Sequence, residues 1–140
     1  MRTIQYAARV GTWRVREDRN PQQSQDTTFC ASGARFLLGR LFATPVALAA
    51  LEEIAGAGKP HSVRLSDALH NRLALVMPFV NRHAAGDWGD VGEEDWHAND
   101  DALRDGSRVM SGYDIGRGQR LWILTEADRS ATTVILASEY

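Results

Sequence analysis

The pattern of apolar and polar positions is clearest at the C-terminal end of the chain. Residues 121–124 are apolar, residues 126–130 are polar, and residues 132–136 are again apolar and β-branched. Valine, isoleucine, threonine and tryptophan favour a pleated, half-buried surface. Because apolar residues occupy successive positions in both arms, the pattern predicts a β-hairpin covered on both faces, at the centre of a small sheet.

An amphipathic helix is predicted upstream of this hairpin. Thr44 and Pro45 form a capping residue followed by proline at the first helical position. Residues 46–55 are rich in Ala and Leu, with an apolar stripe at helical spacing that ends before Gly56. The start and stop signals both agree with the periodicity, so this helix is well defined.

A second helix is predicted over residues 93–104. Its first turn carries three acidic residues, which complement the positive end of a helix dipole, and Gly106 follows its last turn. Trp96 and Leu103 lie on its inner face, together with Asn99. A buried amide must be satisfied, and a nearby loop carbonyl is the simplest partner for Asn99.

Two segments leave alternatives open. Residues 36–43 are predicted to add a strand to the C-terminal sheet, although so short an apolar run also fits the start of a helix. Residues 62–77 have a helical stripe but end in a strand-like run. Pro78 fits best as the first residue of a short separate helix over residues 78–84.

The order of the elements predicts the fold class. Residues 107–113 alternate like a strand, and residues 115–118 form a tight turn into the strand at 119–125. Helices first and strands last is an α+β order. We therefore expect helices packed on a small C-terminal antiparallel β-meander of three to four strands.

The chain is predicted to comprise one domain and an arm. Its 140 residues suit a single domain with its own core. Residues 1–33 are polar, and residues 20–26 have a linker composition, so residues 1–33 are interpreted as an extension and residues 34–140 as the α+β domain. Residues 4–15 also fit a strand, and an Arg-rich arm for nucleic acid is an alternative.

Charge and composition narrow the class of protein. The formal net charge is −2, which gives no bulk attraction to nucleic acid, yet residues 86–101 carry seven acids and no Arg or Lys. Cys30 is the only cysteine, which favours a reducing compartment. No apolar run is long enough to span a membrane. We expect a cytoplasmic protein with no membrane partner.

Metal and cofactor signals are weak. The acids Asp87, Asp90, Glu93, Glu94 and Asp95 lack the spacing of a calcium loop, and the four histidines lack zinc-ligand spacing. The sequence therefore predicts neither a metal site nor a cofactor.

His83 is the most interesting titratable residue. It precedes a glycine-bounded loop that contains Trp88, where an imidazole can act as a general acid or base near neutral pH. The alternative is that it caps a helix or bonds to Asp87. The turn at residues 125–130 has a similar ambiguity, since its polar side chains suit either phosphate or a well-formed hairpin turn.

Two motifs carry a resemblance. They are Arg82-His83-x-x-Gly86-Asp87-Trp88-Gly89-Asp90 and Trp122-Ile123-x-Thr125-Glu126-Ala127-Asp128-Arg129-Ser130-x-Thr132-Thr133. With them, residues 36–57 and 78–140 resemble a family of short, uncharacterised proteins encoded on bacterial plasmids and other mobile elements. Members of this family begin near Phe36. The resemblance implies a genetic context rather than an activity.

Two functions are compatible with these features. The first is a small interaction protein that modulates a host nucleic-acid-handling or defence system by binding a host or element-encoded protein. Its predicted binding residues are Asp87, Trp88, Asp90, Glu93, Glu94 and Asp128. The alternative rests on a weaker resemblance to metal-independent RNases of the RelE/barnase-like toxin class. Its catalytic residues would be His83, Arg108, Arg129, Ser130 and Thr132.

Overall fold

The computed structural model describes residues 5–9, 12–16, 33–56 and 65–140. Helices precede the C-terminal strands, so the α+β prediction is confirmed. The elements are β1 (Gln5–Arg9), β2 (Thr12–Arg16), β3 (Arg40–Ala43), α1 (Pro45–Ile54), α2 (Leu65–Ala84), α3 (Glu93–Asp105), β4 (Val109–Gly116), β5 (Gln119–Thr125), β6 (Ala131–Leu136) and a short 3-10 helix, Ala137–Glu139. No helix in these ranges is long and apolar enough to cross a membrane.

The main sheet has the strand order β3-β6-β5-β4. Strands β4, β5 and β6 form the predicted antiparallel meander. The β5–β6 hairpin lies at the centre of the four-stranded sheet. Strand β3 adds to β6 in parallel, so the sheet is mixed. The tight turn between β4 and β5 has positive φ at Arg117 and Gly118, as a two-residue hairpin turn requires.

Strands β1 and β2 form a separate two-stranded antiparallel sheet. They fall within the segment where the sequence predicted a polar arm with some strand character. Residues 20–26, whose composition predicted a linker, lie outside the described residues. The assignment of residues 1–33 as an arm therefore stays a prediction.

The helices follow their local signals except at Pro78. Thr44 caps α1 as predicted, because its Oγ1 accepts from the Ala47 amide at 3.2 Å. Helix α2 is continuous from Leu65 to Ala84, so the prediction of a separate helix starting at Pro78 is wrong. Proline inside a helix costs roughly 3 kcal/mol. Here Val76 and Val80 are buried on either side of an exposed Pro78, and this burial offsets the lost hydrogen bond.

The core lies between helices α1 and α2 and one face of the sheet, here called the inner face. Buried residues of α1 and α2 pack there against alternate residues of β4, β5 and β6. The inner-face residues are Val109, Ser111, Tyr113, Ile115, Leu121, Ile123, Thr125, Thr132, Val134 and Leu136. Helix α3 adds a smaller cluster around Trp88, Ala102 and Val109, in which Trp88 is fully buried and Trp96 only half-buried.

Candidate functional site

A chain of buried hydrogen bonds crosses the inner face and centres on His83. The His83 Nδ1 lies 2.6 Å from Ser111 Oγ, and its Nε2 lies 2.8 Å from Thr125 Oγ1. Thr125 Oγ1 is in turn 2.7 Å from Thr132 Oγ1, which donates to the Leu38 carbonyl at 2.7 Å. All four side chains are fully buried, so the last turn of α2 is tied to three successive strands of the meander.

The direction of every bond in this chain follows from its one fixed end. The Leu38 carbonyl can only accept, so the Thr132 hydroxyl must donate to it. Thr132 then accepts from Thr125, and Thr125 accepts from the Nε2–H of His83. In a neutral ring the remaining nitrogen, Nδ1, then accepts from the Ser111 hydroxyl. The chain of hydrogen bonds therefore places the proton of a neutral His83 on Nε2.

Burial holds His83 in this neutral form. Loss of hydration, together with the nearby positive charge of Arg129, lowers the pKa of the imidazole from 6.5 to about 3. The rings of Phe36 and Trp88 lie 5.2 Å and 5.7 Å from the imidazole, both edge to face. Because His83 is fully buried, no atom of its ring is exposed to a substrate in this structure. Its contacts give it a structural role, since they join α2 to β4 and β5.

Asn99 satisfies the free edge of β4. Its Nδ2 donates to the Met110 carbonyl at 2.7 Å, and its Oδ1 accepts from the Met110 amide at 2.9 Å. Asn99 is buried, as its position on the inner stripe of α3 predicts, and its partner is a backbone carbonyl. The carbonyl belongs to a strand rather than to a loop.

The glycine-bounded loop, residues 85–90, also covers the free edge of β4. The Gly112 amide donates to the Trp88 carbonyl at 3.1 Å, and the Gly112 carbonyl accepts from the Asp90 amide at 2.7 Å. The Asp90 carboxylate accepts from the Asp114 amide at 2.9 Å. Gly89 has a φ of +73°, and a Cβ on it would overlap the Gly112 carbonyl oxygen. Only glycine fits at this contact, so the loop completes the edge of the sheet.

Asp87 and Trp88 also have partners within the fold. Asp87 accepts from Arg82 Nε at 2.6 Å and from the Gly89 amide at 3.1 Å, and the Arg82 hydrogen bond lowers the pKa of this carboxyl. Trp88 is fully buried and donates from Nε1 to Asp100 at 3.0 Å. A partner protein therefore cannot contact Trp88, which corrects its predicted binding role.

The turn between β5 and β6 is built by its own side chains. The Asp128 carboxylate accepts from the Ser130 amide at 2.9 Å, and hydrogen bonding by Ser130 lowers the pKa of Asp128. Arg129 has a φ of +58° and donates to the carbonyls of Glu126 and Ala102, both at 3.1 Å. These bonds account for the polar composition of the turn without a bound phosphate.

The five residues predicted for an RNase site do not converge on an open cleft. His83 and Thr132 belong to the closed chain of buried hydrogen bonds. Arg129 lies with its guanidinium carbon 5.3 Å from the Phe36 ring centre, and Ser130 is exposed in the turn. Arg108 donates to the Tyr140 hydroxyl at 3.1 Å, beside Trp122.

Sequence reasoning missed Ser111 and Thr125, which complete the partners of His83. A signal was present in the strand pattern. Ser111 falls between Val109 and Tyr113 on the predicted buried face of β4. A hydroxyl on an apolar face requires a buried partner, and a histidine is one of the side chains that can supply it.

Exposed carboxylates are concentrated on α3. The helix contains six carboxylates and one arginine, a formal charge of −5 with His97 neutral, against −2 for the whole chain. Its exposed acids are Glu93, Glu94, Asp95, Asp101 and Asp105. Within the described part of the chain, no group of three or more His, Cys, Asp or Glu side chains is arranged to hold a metal ion.

Comparison with known proteins gives no family for the chain. No family model, curated protein or solved structure matches it. The resemblance to plasmid-encoded proteins stays a prediction. Function is therefore argued from the burial, charge and contacts of the chain's own residues.

Proposed function

We propose that this protein is a non-catalytic interaction protein that binds a basic partner through the exposed acids of α3. The observation that carries this proposal is the concentration of charge on one helix. A formal charge of −5 lies on 13 residues, so the remainder of the chain has a formal charge of +3. The acidic surface is therefore local, and a weakly charged molecule presents a strong electrostatic contact site.

Helix stability alone does not account for these acids. Glu93, Glu94 and Asp95 in the first turn complement the helix dipole. Asp101 and Asp105 lie near the C-terminal end, where a negative charge opposes the dipole. Asp101 pairs with Arg104 at 3.3 Å, but both side chains are largely exposed, and pairs of this kind contribute little. Asp105 accepts from the Ser107 amide at 2.7 Å, which gives it a role in ending the helix. For Asp101, a partner with complementary charge is a better explanation.

The chemistry of the surface suggests the class of partner. Exposed carboxylates on a rigid helix attract a basic surface, and this attraction mainly raises the rate and specificity of association. Proteins that handle nucleic acid carry such basic surfaces. The resemblance to mobile-element proteins supports a partner encoded by the host or by the element, within a nucleic-acid-handling or defence system.

A charge-matched pair of variants tests the proposal. The first is Glu94→Gln with Asp95→Asn and Asp101→Asn, which removes three charges from α3. The second is Glu53→Gln with Asp114→Asn and Glu126→Gln, which removes three exposed acids elsewhere. Each protein is immobilised and used to capture partners from a bacterial extract at increasing salt, and captured proteins are identified by mass spectrometry.

The proposal predicts a basic protein that the wild type and the second variant capture, that salt releases, and that the first variant loses. Equal capture by both variants would contradict a role for α3. The RNase alternative receives no support from the site, since its histidine is enclosed and neutral. RNA cleavage by the purified protein in the presence of a chelator would revive it.

A further inference from the structure

The face of the sheet opposite α1 and α2, here called the outer face, keeps aromatic side chains at the surface. Phe42 of β3 and Trp122 of β5 are half-buried there, next to half-buried Thr133 and Ile135 of β6. Tyr140 packs edge to face on Trp122 at 4.8 Å and is 65% exposed. The sequence predicted that both faces of the β5–β6 hairpin are covered; on the outer face Leu124 is buried, whereas Trp122, Thr133 and Ile135 are only half-buried.

Arginines accompany these aromatic rings. The Arg40 guanidinium carbon lies 5.6 Å from the centre of the Phe42 ring, and Arg108 donates to the Tyr140 hydroxyl. Arg120 lies two residues from Trp122 on β5, so its side chain shares the outer face. All three arginines are exposed.

Few acids balance these arginines on the same face. Asp114 lies directly across from Arg120 on β4, and its Oδ1 accepts from the Gly116 amide at 2.7 Å. Glu139 is held by the Leu136 amide and by Thr44. Both carboxylates keep their charge, so three exposed arginines face two carboxylates beside the aromatic rings.

We propose that the outer face binds single-stranded nucleic acid, with bases stacking on Phe42 and Trp122 and with Arg40, Arg108 and Arg120 contacting the phosphates. Aromatic rings with nearby cations on an open sheet suit this ligand, because every base has a face that can stack and every nucleotide carries a charge. The proposal goes beyond protein binding by α3 and uses different residues.

The register of the sheet gives the two rings a suitable separation. Phe42 pairs with Thr133, which pairs with Leu124, two residues from Trp122. With strands about 4.8 Å apart and alternate residues about 7 Å apart, the two Cα positions are about 12 Å apart. The two rings can therefore hold two different bases of one strand, with Ile135 and Thr133 between them.

Charge distribution also limits where the strand can lie. Helix α3 is attached to the free edge of β4 through Asn99 and Met110, so its acids border the sheet on that side. They repel phosphate and confine a bound strand to the region of β3, β6 and β5. A duplex, whose bases are already stacked, cannot use the two rings, so the site selects single strands.

Fluorescence anisotropy with labelled oligothymidine and oligouridine tests the proposal on the full-length chain. Duplex DNA serves as the third ligand. We expect both single strands to bind, with a log–log salt slope of about −2 for three phosphate contacts. Arg40→Ala should weaken binding and reduce the slope by about 0.7. Phe42→Leu should weaken it about tenfold, because it removes the stacking surface but keeps an apolar side chain.

Arg72→Ala is the matched control, since Arg72 is an exposed arginine on α2 that pairs with Glu52. Circular dichroism confirms that each variant is folded. The proposal is overturned if neither single strand binds at low salt, if duplex binds as well as single strands, or if Arg72→Ala weakens binding as much as Arg40→Ala. Self-association that Phe42→Leu abolishes, without nucleic-acid binding, would instead assign the face to a second copy of the chain. A preference between the two oligonucleotides would distinguish RNA from DNA as the ligand.

Discussion

The two faces of the same sheet differ in how completely their side chains are used by the fold. On the inner face, His83, Ser111, Thr125 and Thr132 are fully buried, and each has a hydrogen-bond partner. On the outer face, aromatic and basic side chains stay at the surface. The difference teaches that residues standing out in a motif, such as His83 and Thr132, can be there to build the fold.

The loop motif around Trp88 supports the same conclusion at the β4 edge of the sheet. Trp88, Asp90 and Asn99 complete the hydrogen bonds of β4, and Asp87 fixes the loop through the Gly89 amide. An open edge strand is a site for unwanted pairing with other chains. The motif therefore protects the sheet, and the acids of α3 are displayed beside it.

The largest expected effect concerns the two tryptophans at this edge. Trp88→Ala removes a fully buried ring, and we expect it to lower the free energy of unfolding by about 3–5 kcal/mol. Trp96→Ala truncates a half-buried ring and should cost clearly less, about 1–2 kcal/mol. Chemical denaturation of both variants measures the difference. Equal losses would place Trp96 in the core and contradict the description of this corner.

Two glycines with similar backbone angles form the next pair. Gly89→Ala should cost about 3 kcal/mol, because it combines a positive φ with overlap against the Gly112 carbonyl. Gly106 has a φ of +80° with nothing near its missing Cβ, so Gly106→Ala should cost only about 1 kcal/mol. If thermal denaturation shows equal losses, then the close approach of Gly89 to β4 does not contribute to stability.

The depressed pKa of His83 predicts a dependence of stability on pH. Between about pH 7 and about pH 5, the unfolded chain protonates this histidine and the folded chain does not. Its contribution is complete above the unfolded pKa of 6.5 and is lost as the pH falls toward the folded pKa of about 3. Between about pH 7 and about pH 5 the wild type should lose about 2 kcal/mol more than His83→Gln. Equal losses measured by urea denaturation would mean that His83 is protonated in the fold.

Substitutions at two neighbouring threonines of β6 compare directly how much each face of the sheet contributes to stability. Thr132→Val leaves the Leu38 carbonyl without its donor, and we expect a cost of about 1–3 kcal/mol. Thr133→Val acts on the half-exposed outer face and should change stability by less than about 0.5 kcal/mol. Both substitutions replace a threonine with a valine on the same strand. A larger loss at Thr133 would reverse the assignment of the two faces.

Local signals were sufficient to predict much of the fold. The Thr44 cap, the acidic start of α3 and the alternation of β4 each lie within a few residues, and the structure confirms these elements. The burial of Asn99 and its pairing with a carbonyl also followed from its place on a buried stripe, although the carbonyl belongs to β4 and not to a loop. Each of these predictions rests on backbone propensity or on the satisfaction of a buried polar group.

The rest depends on contacts between distant parts of the chain. His83 finds Ser111 and Thr125 at separations of 28 and 42 residues, which no local pattern encodes. Continuity of α2 through Pro78 depends on tertiary burial on both sides of the proline. The parallel pairing of β3 likewise follows from the path of three intervening helices. For these reasons the predicted RNase site combined His83 and Thr132, which the fold buries in one chain of hydrogen bonds, with Arg108, which lies beside Tyr140.

The most direct test of the account is nitrogen NMR of the His83 ring in the isotopically labelled protein. We predict a neutral imidazole protonated on Nε2, with Nδ1 unprotonated, from about pH 7 down to about pH 4. The His83→Gln variant identifies the signal. A ring that becomes an imidazolium near pH 6, or that carries its proton on Nδ1, would contradict the closed chain of hydrogen bonds and return His83 to the candidates for catalysis.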